Sequence, residues 1–149
     1  MIEFFIPLDK LPTVTAQQKG VRVVNGRPHF YKKKEVEEVE EFYKFILKTK
    51  RPKEPMTGAI GLTIGYLFPA KRPHRPNEPK TTRPDTDNLI KLVKDVMTEV
   101  GFWVDDSQVF CETYFKIYST QGGLYFKVEE YNITDKVTEI RQEVRHFGN

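Results

Sequence analysis

Cysteine is almost missing from these 149 residues, since Cys111 stands alone. A single thiol cannot close an internal disulfide, so the fold has to stand on packing, which suits a reducing cytosol. Free cysteine is commonly buried, and Cys111 is expected as a structural thiol in the core. Histidine is scarce and scattered, at His29, His74 and His146, so neither imidazole nor thiolate ligands occur at the spacing that zinc requires. No apolar run approaches the ~20 residues that span a bilayer. The opening MIEFFIPLDK also lacks the basic segment and long apolar stretch of a signal peptide. A cytoplasmic protein with no membrane partner is expected, and internal repeats are absent.

Apolar residues make up 38% of the chain and aromatics 13%, which argues against disorder and for a packed core. The length suits one domain over residues 1–149. The net charge of +3 is too small to demand an acidic partner, but its distribution is uneven. Glu35, Glu37, Glu38, Glu40 and Glu41 crowd one stretch, whereas Lys71, Arg72, Arg75, Lys80 and Arg83 share another with only Glu78 against them.

IEFFIP reads as a buried strand closed by Pro7. In GVRVVNGRPHFY, Asn25-Gly26 supplies the positive φ angles of a tight turn and predicts a hairpin over residues 21–31. From Glu35 to Lys48, apolar residues recur every three or four positions and predict an amphipathic helix. GAIGLTIGYLF alternates as a half-buried strand does, with glycines that admit a close neighbour. The prolines of PAKRPHRPNEPKTTRP exclude helix and central strand, leaving a long loop of the kind that usually carries function. A second apolar stripe predicts a helix from Asn88 to Val100, ended by Gly101. QVFCETYFKIY and LYFKVEEYNI around Gly122-Gly123 read as a β-hairpin, and residues 134–146 as a closing helix. The mixture predicts an α+β fold, a mixed sheet with helices against it.

The chemistry concentrates between Arg83 and Val109. Asp85 and Asp87 flank Thr86 at the start of the second helix, where Asp87 is the natural N-cap. Lys91 follows four residues later on the same face, at the spacing of an ordinary ion pair. Thirteen helical residues carry the chain about 20 Å away. Six extended residues can return it by about 20 Å, so Asp106 can come back to the helix start. Three carboxylates and one ammonium would then meet beside a basic loop, and their repulsion calls for a compensating cation. Oxygen ligands suit magnesium, with manganese as the alternative, and such an ion can activate water against a phosphoryl group. Asp105 reads equally as a supporting acid or a turn residue. Phe102 and Trp103 read as core, and the loop's Lys71, Arg72, Arg75, Lys80 and Arg83 as phosphate contacts.

The ordered run Asp85-x-Asp87-Asn88-x-x-Lys91, then Gly101-Phe102-Trp103 and Asp105-Asp106-Ser107-Gln108-Val109, closely resembles the RusA family of Holliday junction resolvases, common in phages and prophages. The resemblance implies that Asp85, Asp87 and Asp106 bind a divalent metal while Lys91 assists catalysis. It also implies a four-way DNA junction as substrate and a homodimer that makes paired symmetric nicks. The basic, proline-rich stretch that the family often carries after its first strand is replaced here by LDKLPTVTAQQKG. Two other readings compete: a non-catalytic phage-type DNA-binding module whose acids are only caps and turns, and a phosphatase with an Asp-x-Asp nucleophile. The second is disfavoured because KTTRP, not a buried apolar strand, precedes the motif.

Overall fold

A computed structural model of the chain describes residues 1–13 and 19–131. The helix expected over 134–146 lies outside them. Strands β1 (Ile2–Pro7), β4 (Ala59–Pro69), β5 (Val109–Ser119) and β6 (Gly123–Tyr131) form a mixed sheet in the order β1-β6-β4-β5. Only β4 and β5 run parallel. Parallel neighbours need a crossover, which helix α2 (Thr86–Val100) supplies.

Residues directly opposed across antiparallel strands share a face, and here the register itself assembles the core. Ile2, Phe4 and Ile6 of β1 oppose Val128, Phe126 and Leu124 of β6, which in turn oppose Leu62, Ile64 and Tyr66 of β4. Helix α1 (Lys34–Lys48) and α2 pack into this core, the first burying Val36, Tyr43 and Leu47. Burying a side chain of this size contributes about 1.5–3 kcal/mol. Seven such residues on α2 therefore far outweigh a terminal cap of about 1 kcal/mol, so packing rather than capping holds that helix. The opposite face of β4 exposes backbone at its glycines, and aromatic rings fill the space. A Cβ on Gly65 would stand 2.3 Å from the Phe115 ring, and one on Gly61 2.5 Å from that of Tyr131.

The α+β arrangement agrees with the sequence reading, but three local expectations fail. β1 is not a buried strand, because it ends the sheet, with Ile2, Phe4 and Ile6 half-buried and Glu3, Phe5 and Pro7 exposed. β5 and β6 are not a hairpin, because β4 lies between them and the link after Ser119 crosses the end of that strand. Cys111 is exposed, since it lies in β5, which has β4 as its one strand partner in the sheet. The expected hairpin does form, as β2 (Lys19–Val24) and β3 (Arg27–Lys32), with Asn25 and Gly26 at φ 50° and 74°. It makes a separate two-stranded sheet in which every residue of β3 is exposed.

Candidate active site

Helix α2 begins at Thr86, which makes Asp85 and not Asp87 its N-cap, and the Asp85 side chain makes no capping hydrogen bond. The helix start therefore leaves this carboxylate uncommitted. At the other end Gly101 adopts φ 88°, where its N–H reaches the carbonyls of Met97 and Thr98, and the chain reverses. Buried Phe102 and Trp103 anchor the reversal. Phe102 N–H donates to Met97 O at 3.0 Å and Trp103 Nε1 to Thr98 Oγ1 at 2.8 Å. The returning chain ends in a 3₁₀ turn, Asp106–Gln108.

Asp105 caps that turn by accepting from Ser107 N at 2.8 Å, and this hydrogen bond lowers its pKa below the ordinary carboxylate value. Gln108 is a positioning residue that sequence reasoning missed. Its Oε1 accepts from Val104 N and Asp105 N, both at 2.9 Å. Its Nε2 donates to Met56 O and Gly58 O at 3.0 and 2.9 Å. All four hydrogen-bonding positions of the amide are thus used to lock the turn against the segment entering β4.

Asp106 consequently shares a cleft of about 330 Å³ with Asp87 and Lys91. The same cleft takes in Lys94 and Asp95 from α2 and Glu112 and Tyr114 from β5, with Lys94 ion-paired to Glu112. Burial pushes the Asp95 carboxyl above its ordinary pKa; Lys91 opposes this and Asp106 adds to it. Burial likewise raises Tyr114, helped by the neighbouring Glu112 carboxylate, so its phenol stays protonated. Asp95 was legible in principle, four residues beyond Lys91 and eight beyond Asp87 on one helical face. Glu112 carried no such signal, because it arrives through strand order.

Asp85 faces elsewhere. It lines an adjoining cleft of about 550 Å³ with Thr13, Phe68, Lys80, Arg83 and Asn88, and the buried Oδ1 of Asn88 has no hydrogen-bond partner among the described residues. The expected meeting of three carboxylates is therefore split between two neighbouring clefts. The donor set is all oxygen, which fits a hard divalent cation and no thiolate or imidazole metal. Among the described residues, however, no three acidic, histidine or cysteine side chains stand at metal-holding spacing.

The basic loop is fixed along the free edge of β5. Tyr118 N–H donates to Glu78 O at 2.9 Å, and Lys80 N–H donates to Lys116 O at 3.0 Å. Lys116 Nζ ties down the approach to α2 by donating to Thr82 O and Pro84 O at 2.8 and 2.6 Å. Lys80 is half-buried over the rings of Phe68 and Tyr118. Lys71, Arg72, Arg75 and Arg83 are exposed, and none forms an ion pair within 4.0 Å among the described residues.

The family model for endodeoxyribonuclease RusA matches residues 10–129. The chain belongs to the RusA family. That span takes in every candidate residue from Lys71 to Asp106. A protein named crossover junction endodeoxyribonuclease rusA from Lactococcus phage r1t is 37% identical over 109 residues, covering 72% of this chain and 81% of the phage protein. Proteins of the same name from Escherichia coli and from Enterobacteria phage 82 are each 40% identical over 62 residues, or 42% of this chain and 52% of theirs. For these relatives the match spans about half their length. Membership in the RusA family, described as endodeoxyribonucleases, weighs against a non-catalytic DNA-binding module. No helix among the described residues is long and apolar enough to cross a membrane.

Proposed function

We propose that this chain is a crossover junction endodeoxyribonuclease that depends on a divalent cation, acts in the cytoplasm as a homodimer and resolves four-way DNA junctions by paired symmetric nicks. The observation that carries this reading is the return of Asp106 to the start of α2, into one cleft with Asp87 and Lys91. The names of the relatives supply the substrate.

Asp87 and Asp106, which share the cleft, would hold magnesium or manganese, and Asp85, whose side chain makes no capping hydrogen bond, would complete the set only by turning from the neighbouring cleft toward them. When bound, such an ion supplies Lewis acidity to the scissile phosphate and to the attacking water. The phosphodiester is cut in line: a new P–O bond forms from water as the bridging P–O bond breaks, so no covalent enzyme intermediate is needed. Lys91 Nζ, on the helical face of Asp87, stabilises the negative charge that grows on the phosphoryl and leaving oxygens. The exposed cations of the loop, Lys71, Arg72, Arg75 and Arg83, take phosphates of the flanking duplex, and Lys80 adds its charge beside Asp85. One such cleft among the described residues and a substrate of twofold character call for two copies, which a twofold homodimer provides.

The test is to incubate the purified protein with a synthetic four-way junction and a matched linear duplex, with and without magnesium, and to map the products. Symmetric nicks in the junction alone, only with magnesium, are expected. Binding without cleavage under any divalent ion would return the chain to the module reading.

A further inference from the structure

The β2–β3 hairpin is unlike the rest of the molecule. An isolated two-stranded hairpin is marginal in water and needs a partner surface, yet this one leaves Val23, Phe30 and Val21 exposed at 73%, 70% and 55%. Its base is fixed to α1 by Lys32, whose Nζ donates to Glu40 at 2.5 and 2.8 Å. Residues 19–34 carry six lysines and arginines and no acid, the most one-sided charge run in the chain.

The register sorts the ribbon into two faces. Arg22 opposes His29 and Val24 opposes Arg27, with Tyr31 over Gly20 beside them; the Arg22 guanidinium lies 6.0 Å from the Tyr31 ring centre. On the other face Val21 opposes Phe30 and Val23 opposes Pro28, giving an apolar ridge toward the turn, with the Lys19–Lys32 pair at the base of the hairpin. Lys32 and Lys34 are paired to Glu40 and Glu38 of α1, whereas Arg22, Arg27 and Lys33 form no ion pair within 4.0 Å among the described residues. A two-stranded ribbon has the width that B-DNA's major groove accepts, and unpaired arginines on its face are the footprint of a polyanion.

We infer that the β2–β3 hairpin is a second DNA-engaging element, distinct from the loop at residues 71–83, in which Arg22 and Arg27 contact phosphates and Phe30 stacks on a base pair exposed at the branch point. The inference rests on the junction reading above. A ribbon with one basic and one apolar face suits branched DNA, where phosphates of one arm lie close to the end-exposed base pair of the next. A continuous duplex offers phosphates but no exposed pair. Apolar wedges and aromatic platforms are common means of engaging unstacked bases. A second copy of this chain is the competing occupant, and the unpaired Arg22 and Arg27 beside the apolar ridge favour DNA over it.

The experiment measures affinity in EDTA for a labelled four-way junction and for a linear duplex across a range of salt, using wild type, Phe30→Ala, Phe30→Leu and the double variant Arg22→Ala/Arg27→Ala. Phe30→Ala should weaken junction binding about tenfold, the scale of one lost base-stacking contact, while duplex binding stays within about twofold. Phe30→Leu keeps the cross-strand apolar pair but not the flat ring, and should behave like Phe30→Ala. The arginine variant should weaken both substrates and lower the slope of log affinity against log salt by about two. An unchanged slope, or unchanged junction affinity in both Phe30 variants, would overturn the inference. So would sedimentation showing that these variants fall from dimer to monomer, which would assign the ridge to a second copy. If wild type does not prefer the junction, the junction reading fails, while the arginine slope on duplex still decides whether the ribbon touches DNA.

Discussion

Lys91 lines the cleft with Asp87 and Asp106, yet it makes no ion pair within 4.0 Å among the described residues. A lysine needed only for surface pairing would be spent on Asp87, four residues away, whereas this one lies near Asp95 without closing an ion pair and can turn its ammonium to a phosphoryl oxygen. Lys91→Ala should lower the single-turnover cleavage rate by about 10²–10⁴-fold with little change in junction affinity; an unchanged rate would return Lys91 to the surface. Gln108 acts through Asp106 rather than on DNA. Its replacement by Ala strips partners from Val104 N, Asp105 N, Met56 O and Gly58 O. That should cost about 1–3 kcal/mol in thermal unfolding and slow cleavage by loosening the turn that carries Asp106. Gln108→Glu keeps the acceptor but turns a carboxylate oxygen toward the Met56 and Gly58 carbonyls, so it should be no more stable than Ala. The motif Asp-Asp-Ser-Gln was readable as a pattern, but the amide's fourfold use was not, since Met56 and Gly58 are about fifty residues away.

At the scale of elements, periodicity located both helices, the strand at β4 and the β2–β3 hairpin, because each depends on local spacing of apolar residues or on Asn25-Gly26. Strand order escaped it. Gly122-Gly123 reads locally as a hairpin turn, but β4 inserts between β5 and β6 through contacts that no local signal encodes. Cys111 escaped for the same reason, since exposure follows from β5 ending the sheet. The basic loop was legible as irregular and charged, and its docking on the edge of β5 was not. Arg72→Ala with Arg75→Ala should weaken DNA binding and lower the log–log salt slope by about two, one per lost phosphate contact; a wild-type slope would make these residues bystanders. The junction of α1 with β4 makes a different prediction. Burial raises the pKa of both Tyr43 and Tyr66, whose hydroxyls lie 3.4 Å apart. A raised folded pKa contributes stability that is complete below the unfolded tyrosine value near 10 and is lost as pH climbs toward the folded value. Tyr43→Phe should therefore make stability above pH ~10 fall less steeply, by about 1.4 kcal/mol per pH unit, one proton's worth. Denaturant melts at pH 8 and at several alkaline values check this, and an unchanged steepness would contradict it.

Across the whole molecule, charge is segregated. The glutamates of α1 lie on one element, where Glu40 takes Lys32, the cations of residues 19–33 and 71–83 lie on two others, and the acidic cleft adjoins the second of these. Such an arrangement sets DNA binding against the cleft's own carboxylates, which repel phosphate unless a cation neutralises them. Asp106→Asn tests this opposition in one substitution, because it removes a charge while keeping the side chain's size. The decisive measurement pairs junction affinity in EDTA with single-turnover cleavage in magnesium, for wild type and for Asp106→Asn, with folding matched by circular dichroism. Binding without metal should persist or tighten, and cleavage should nearly vanish, because an amide is a poorer magnesium ligand than a carboxylate. Wild-type cleavage by a well-folded Asp106→Asn protein would remove Asp106 from the site and contradict a catalytic cleft at the start of α2.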